Sequence, residues 1–372
     1  MRVERHHLLS PSVGTRRELL SFHYGQPGSG QKVYLQASLH ADELPGMLVL
    51  HHLKRLLADA ESIGAIAGEI VVVPVANPIG LSQTLLRDQL GRFEAGSGEN
   101  FNRLYPDFFA RLVDQIEPRL GQAADENKRV IRAAMRESLA NDQPDTELAS
   151  LRHTLTGMAV DADVVLDLHC DYEAILHIYT EEPYIDQAEP LYRYLGAGAV
   201  LTARGSGGAS FDEAMSGTWW RLAEHFAGRF PIPLACLGVT IELRGKADVS
   251  HELAQMDAFQ LFAYLRHRGV ILGEATPVPP PACEPTPLAG SETLHAPHAG
   301  VIAFLKQVGD WVEAGDAVAE IVDPLTDTVT AIRASVSGCL YARENRRYAT
   351  RGMDIAKVAG RVPYRSGYLL TA

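Results

Sequence analysis

Apolar positions along the chain follow two periods that alternate with one another. Residues 15 to 24 read as an opening strand, and Lys32 to Leu39 alternates apolar and polar positions as a half-buried strand does. Leu48 to Leu57 carries its apolar residues at helical spacing, so a helix is expected over 46–58. Glu69 to Ala76 (EIVVVPVA) and Ala162 to His169 (ADVVLDLH) are almost continuous apolar runs, as in parallel strands buried on both faces. Further strands are expected over 174–180, 199–203 and 237–243 (LGVTIEL), with a helix over 251–268. Residues 80 to 107 are rich in Gly, Asn and Arg and read as a long loop, a feature that in compact domains is usually functional. Residues 108 to 158 are rich in good helix formers (RVIRAAMRESLA, TELASLRHTL). Strands alternating with helices imply an α/β domain on a mostly parallel or mixed sheet.

The pattern then changes. Gly273 to Gly290 holds six of the 21 prolines and reads as a semi-rigid linker. Beyond it come short strands punctuated by turn signals such as Val308-Gly309-Asp310 and Ala314-Gly315-Asp316, a pattern that fits a small all-β domain. The expected organisation is therefore an α/β domain over 1–272, a linker over 273–290 and a β domain over 291–372.

Composition narrows the function classes. A net charge of -12 argues against nucleic-acid binding, which needs a basic surface. Small anionic substrates remain open, through local arginines and a metal. No apolar run reaches the length of a membrane span, and Met1 to His7 lacks the apolar core of a signal peptide. Cys170, Cys236, Cys283 and Cys339 form no C-x-x-C pair, so reduced thiols in a cytoplasmic protein are expected. A homo-oligomer is left open.

The candidate chemistry lies at strand ends. His40 and Glu43 follow the strand that ends at Leu39, where ligands collect in open α/β sheets. An imidazole and a carboxylate three residues apart can converge on one divalent ion, although a turn histidine and a first-turn helix carboxylate would read the same way. His169 ends a buried strand just as His40 does and completes a His-Glu-His set, a known catalytic zinc set, with Asp167 placed to orient an imidazole. Glu242 sits in the apolar run Val239 to Leu243, so it needs a partner, such as Arg244, or a cleft. Beside a zinc-bound water it would be the expected general base. The loop from Gly91 to Arg103 offers Arg92, Asn102 and Arg103 for a carboxylate or an oxyanion, or simply a solvated surface. Its glycines do not form the G-x-G-x-x-G of a nucleotide site.

Together, H-A-D-E (40–43), N-P (77–78), N-F-N-R-x-Y-P (100–106), D-L-H (167–169) and the late strand glutamate Glu242 resemble the succinylglutamate desuccinylase/aspartoacylase family over roughly residues 30 to 270. The resemblance implies a zinc-carboxypeptidase-like mixed central sheet flanked by helices. It also implies one Zn2+ per chain on His40, Glu43 and His169, with Glu242 as the catalytic base. Asn102 and Arg103 match the pair that binds the substrate carboxylate. Arg92, or alternatively Arg87, matches the arginine that polarises the scissile carbonyl. The implied activity is hydrolysis of a small N-acyl amino acid or similar amide, with carboxypeptidase or esterase action, or a non-catalytic zinc-containing binding protein, as alternatives. The chain departs from the family pattern in reading N-F-N-R for D-L-N-R, in placing Cys170 after the third ligand, and in an E-L-R-G that would add Arg244 to the substrate site. The tail resembles a biotinyl/lipoyl-type sandwich, but its expected hairpin tip, Asp323 to Thr328, has no lysine to modify. It is therefore expected to be a cap beside the active site.

Overall fold

The computed structural model describes residues 1–370. A nine-stranded sheet organises the chain before the second β-rich region. Its order is Arg2–His7, Glu18–Gly25, Glu69–Val73, Lys32–Ala37, Val164–Asp171, Leu237–Gly245, His177–Glu181, Ala199–Ala203 and Thr286–Pro287. The four central strands, Glu69–Val73 to Leu237–Gly245, run parallel to one another, and antiparallel pairing begins on either side of them, so the sheet is mixed.

Burial on both faces explains the near-continuous apolar runs. Val33, Leu35, Ile70, Val72, Val164, Leu166 and Val239 face a core shared with helices Pro45–Ser62, Ile185–Leu195 and His251–His267. The alternate residues Tyr34, Val71, Val73 and Val165 face a second core with helices Phe108–Ile116, Ala124–Ala140, Glu147–Ala159 and Phe211–His225. The first helix packs closely on the sheet because Gly46 lies in its first turn. A Cβ there would lie 2.9 Å from Ala37 Cβ and 3.0 Å from Leu168 Cβ. No helix among the described residues is long and apolar enough to cross a membrane.

Most expected elements are present within a few residues of their expected bounds. Three of the longer elements were not expected. The strand Arg2–His7 lies at the sheet's edge with little buried surface, so its apolar alternation is weak. Helix Ile185–Leu195 carries Pro190 inside it, normally a reason to end a helix. Helix Phe211–His225 contains Gly217, where a Cβ would stand 3.2 Å from Glu181 Oε1.

The C-terminal region forms two facing antiparallel sheets around Leu294, Ile302, Val318, Ile321, Leu340 and Val358. The proline-rich stretch is more than a spacer. Thr286–Pro287 adds a final strand to the large sheet, and Arg193 Nε donates to Pro279 O at 2.5 Å. In return, Glu173–Ala174 pairs with Gly338–Arg343 of the sandwich, and Glu173 accepts 2.6 Å hydrogen bonds from Arg343 and Arg347.

One buried carboxylate gives the fold a pH dependence. Glu181 is buried and accepts from Ser216 Oγ at 2.5 Å and Trp220 Nε1 at 2.7 Å. Burial outweighs these bonds and pushes its pKa from 4.5 up to about 8. The folded chain thus keeps a proton that the unfolded chain has lost, and this site's contribution fades as pH rises from the unfolded to the folded value. The melting temperature of the wild type should fall more steeply between about pH 5 and 8 than that of Glu181→Gln. Parallel pH profiles would show that Glu181 does not titrate in this window.

Candidate active site

The site begins where one face of the sheet turns polar. On the face of the second core, Val165 is followed at alternate positions by Asp167 and His169. Gln36 and Thr240 flank Asp167 on the neighbouring strands, and Glu242 stands beside His169. Parallel register thus brings a histidine and a glutamate from distant parts of the chain to one rim.

His40 reaches the same rim from the turn after Lys32–Ala37. Ser38 enters that turn with φ +63°, a conformation costly for a residue with a Cβ and held only where neighbours enforce it. Asn77 is one enforcer. Its Nδ2 donates to Leu39 O at 2.8 Å while its Oδ1 accepts from Gly80 N at 2.8 Å. The long loop is the other, since Ala41 N donates to Gly91 O at 2.9 Å. Only glycine fits at position 91, where a Cβ would lie 2.0 Å from Asp42 N.

Glu43 stands between the two histidines. Its Oε1 lies 3.0 Å from His40 Nδ1, and its Oε2 lies 2.8 Å from His169 Nδ1 and accepts from Cys170 N at 3.1 Å. One ligand atom from each of the three residues lies within 4.8 Å of the others, and all three side chains are buried. The outer ring nitrogens face polar neighbours too. His40 Nε2 lies 2.9 Å from Asn100 Oδ1, and His169 Nε2 lies 3.0 Å from Asp167 Oδ2. Both rings therefore turn Nδ1 inward; Asn100 holds His40 from behind by a hydrogen bond, and the Asp167 carboxylate stands behind His169 as a charge contact without hydrogen-bond geometry.

The electrostatics follow. Burial opposes charge on Glu43, but His40 and His169 outweigh it and hold the carboxyl well below its ordinary range. Burial and the Arg92 guanidinium push His40 down to about 4, leaving a neutral imidazole. Burial alone would lower His169 as well, but Asp167 and Glu43 raise it. Two inward imidazole nitrogens and an anionic carboxylate, closely spaced and buried, suit a divalent cation of the zinc type.

The remaining candidates divide. Glu242 lines a cavity of about 320 Å³ together with His40, His169, Arg92, Asn102 and Arg103. Glu242 Oε2 is buried without a hydrogen-bond partner among the described residues. Burial and then the charge on Glu43 push its pKa up to about 8. Arg92 Nη1 lies 3.2 Å from His40 Nδ1 and donates to Glu43 Oε1 at 3.3 Å, whereas Arg87 does not line the cavity. Asn102 is committed to the fold on one side, where its Oδ1 accepts from Phe211 N at 2.8 Å; its Nδ2 faces His169 Nε2 at 3.5 Å. Arg244 corrects the sequence expectation. It takes up φ +63° and donates to Asp257 on helix His251–His267, away from the cavity, because Asp257 offers it a buried counter-charge. Cys170 lies at the rim with its thiol raised by burial.

Sequence reasoning missed two groups. Asn100 lies inside the quoted N-F-N-R motif, but nothing in the motif ties it to His40. Lys357 comes from the C-terminal sandwich, lines the same cavity and donates to Asp171 Oδ2 at 2.6 Å. No local signal marks it, because its role depends on where the sandwich docks.

The catalytic-domain profile of the succinylglutamate desuccinylase/aspartoacylase family, a family of deacylase-type hydrolases, matches residues 29–268. Comparison with curated proteins gave no match. Among crystal structures, the chain is similar to a succinylglutamate desuccinylase/aspartoacylase family protein from Shewanella amazonensis SB2B. That likeness has 28% identity and a TM-score of 0.85, over 96% of this chain and 98% of that one. A family protein from Shewanella frigidimarina NCIMB 400 is similar at 26% identity and a TM-score of 0.83, over 96% and 97% of the two chains. The product-bound ectoine utilization protein EutE (DoeB) from Ruegeria pomeroyi shares the fold at 16% identity and a TM-score of 0.67, over 96% and 95%. With its profile match spanning His40 to Glu242, this chain belongs to the succinylglutamate desuccinylase/aspartoacylase family.

Proposed function

We propose that the protein is a zinc-dependent deacylase that hydrolyses the amide bond of a small N-acyl amino acid or a related N-acyl compound. The large sheet is read as zinc-carboxypeptidase-like and the C-terminal unit as a biotinyl/lipoyl-like sandwich serving as a cap. The observation that carries this reading is the shared cavity. His40 and His169 of the buried His-Glu-His cluster and Glu242, whose Oε2 has no hydrogen-bond partner among the described residues, open into one space. Arg343, Ile355 and Lys357 of the sandwich form part of its wall. At about 320 Å³ it lies at the small end of ligand pockets, in keeping with a small substrate and not a polypeptide.

His40 Nδ1, Glu43 and His169 Nδ1 would hold one zinc ion, which supplies electrophilic polarisation of a carbonyl and acidifies water. Asn100 holds the His40 ring from behind, and the charge of Asp167 stands behind the His169 ring, placed to orient it. Glu242 takes the proton from the attacking water as the new C–O bond forms, then returns it to the leaving nitrogen as the amide C–N bond breaks. Arg92 offers positive charge to the carbonyl oxygen as negative charge develops there. Arg103 pairs with a substrate carboxylate, and Asn102 directs its amide nitrogen toward the same space. The hairpin tip between Ala317–Asp323 and Thr328–Arg333 carries no lysine, so the sandwich acts here as a wall and not as a carrier. Four free cysteines fit a reducing, cytoplasmic setting.

A panel of N-acyl amino acids separates the assigned roles. Glu242→Gln should lower kcat by roughly two to four orders of magnitude with KM little changed. Arg103→Ala should raise KM for substrates with a free carboxylate more than for their uncharged analogues. Normal turnover by Glu242→Gln would exclude it as the base. Asn100→Ala and Asp167→Asn should each weaken zinc binding about 10- to 100-fold, read by competition with a chelating dye. Unchanged affinity in both variants would remove the ring-fixing role.

A further inference from the structure

A second cluster lies on the outer edge of the nine-stranded sheet, away from the cavity. The edge strand Arg2–His7 pairs antiparallel with Glu18–Gly25, placing Glu4 opposite Ser21 and Arg2 opposite His23. Alternation along each strand puts Glu4, His6, Ser21 and His23 on one face. His23 Nε2 lies 2.8 Å from Ser21 Oγ and 3.5 Å from Glu4 Oε2. His6 Nε2 lies 2.8 Å from the same Ser21 Oγ and 3.9 Å from the same Glu4 oxygen. One ligand atom from each of Glu4, His6 and His23 lies within 4.8 Å of the other two.

We propose that Glu4, His6 and His23 form a second divalent-cation site, selective for late first-row ions such as zinc, which clamps the edge strand to its neighbour. The inference is independent of the hydrolase reading. Four-coordinate zinc with nitrogen and oxygen ligands spaces neighbouring donor atoms about 3.4 Å apart, close to the contacts found here. His23 has the backing that metal-binding histidines show, with its Nδ1 3.5 Å from the buried Glu69 Oε1. Burial is the main influence lowering the pKa of both His6 and His23. Arg2 opposes a cation here. Its Nη2 lies 3.4 Å from His23 Nδ1 and its Nε lies 2.9 Å from Glu4 Oε1, but Glu4 Oε2 is the oxygen nearer the rings, and the Arg2 side chain is 53% exposed and able to swing away. The competing arrangement is a hydrogen-bonded His6–Ser21–His23 chain with no ion. A hydroxyl has one hydrogen, so in that chain at least one ring must donate to Ser21.

Zinc stoichiometry of the chelator-stripped full chain, measured by equilibrium dialysis at micromolar free zinc with elemental analysis, distinguishes the two. The wild type should hold about two ions per chain, and His6→Gln, Glu4→Gln and His40→Ala about one each. Zinc should raise the melting temperature of His40→Ala but not that of the His6→Gln/His40→Ala double variant. Equal zinc content in wild type and His6→Gln, or no zinc on a folded His40→Ala chain, would overturn the proposal.

Discussion

A buried carboxylate must be paired, and Glu43 is the buried charge around which the rest of this molecule is arranged. Leaving such a group uncompensated costs several kcal/mol, on the order of 3–5 when a partner is removed. Its partners come from three separate parts of the chain. His40 lies on the same turn, Arg92 on the long loop, and His169 at the end of a strand more than a hundred residues later. Each contact fixes another element. Gly91 pins the His40 turn, Asn100 in the same loop fixes the ring from behind, and Asn102 reaches the first amide of helix Phe211–His225. The pairing that satisfies one carboxylate therefore also locks the loop against the sheet.

The second constraint is closure of the cavity. The sandwich meets the large sheet at charged contacts. Lys357 bridges to Asp171, two residues beyond His169, and Arg343 and Arg347 both meet Glu173. Burial works against the charges on Asp171 and Lys357, yet each holds the other charged. A few ion pairs thus tie the wall of the cavity to the strand that carries His169, so docking of the C-terminal unit and the shape of the substrate space are coupled.

The central sheet and the His-Glu-His set were legible in the sequence for a physical reason. Strands buried on both faces must be apolar throughout, so Asp167, His169 and Glu242 stand out as exceptions. Parallel register then dictates that such exceptions at neighbouring strand ends meet. What escaped was set by tertiary context. Arg244 reads as a site residue from its place beside Glu242, but a left-handed backbone turns it to Asp257. Lys357 and the edge pair His6 and His23 carry no local signature, because their neighbours come from elsewhere in the chain. Helices Ile185–Leu195 and Phe211–His225 were hidden by a proline and a glycine that the packing accommodates.

The central claim is that Glu43 and the two inward-turned imidazoles form a metal centre. X-ray diffraction from zinc-loaded crystals, collected on both sides of the zinc absorption edge, tests it most directly. The account predicts an anomalous peak bonded to His40 Nδ1, His169 Nδ1 and a Glu43 carboxylate oxygen at about 2.0–2.2 Å. Zinc-loaded crystals with no anomalous density between these three residues, and Glu43 still bridging the two rings by hydrogen bonds alone, would contradict it.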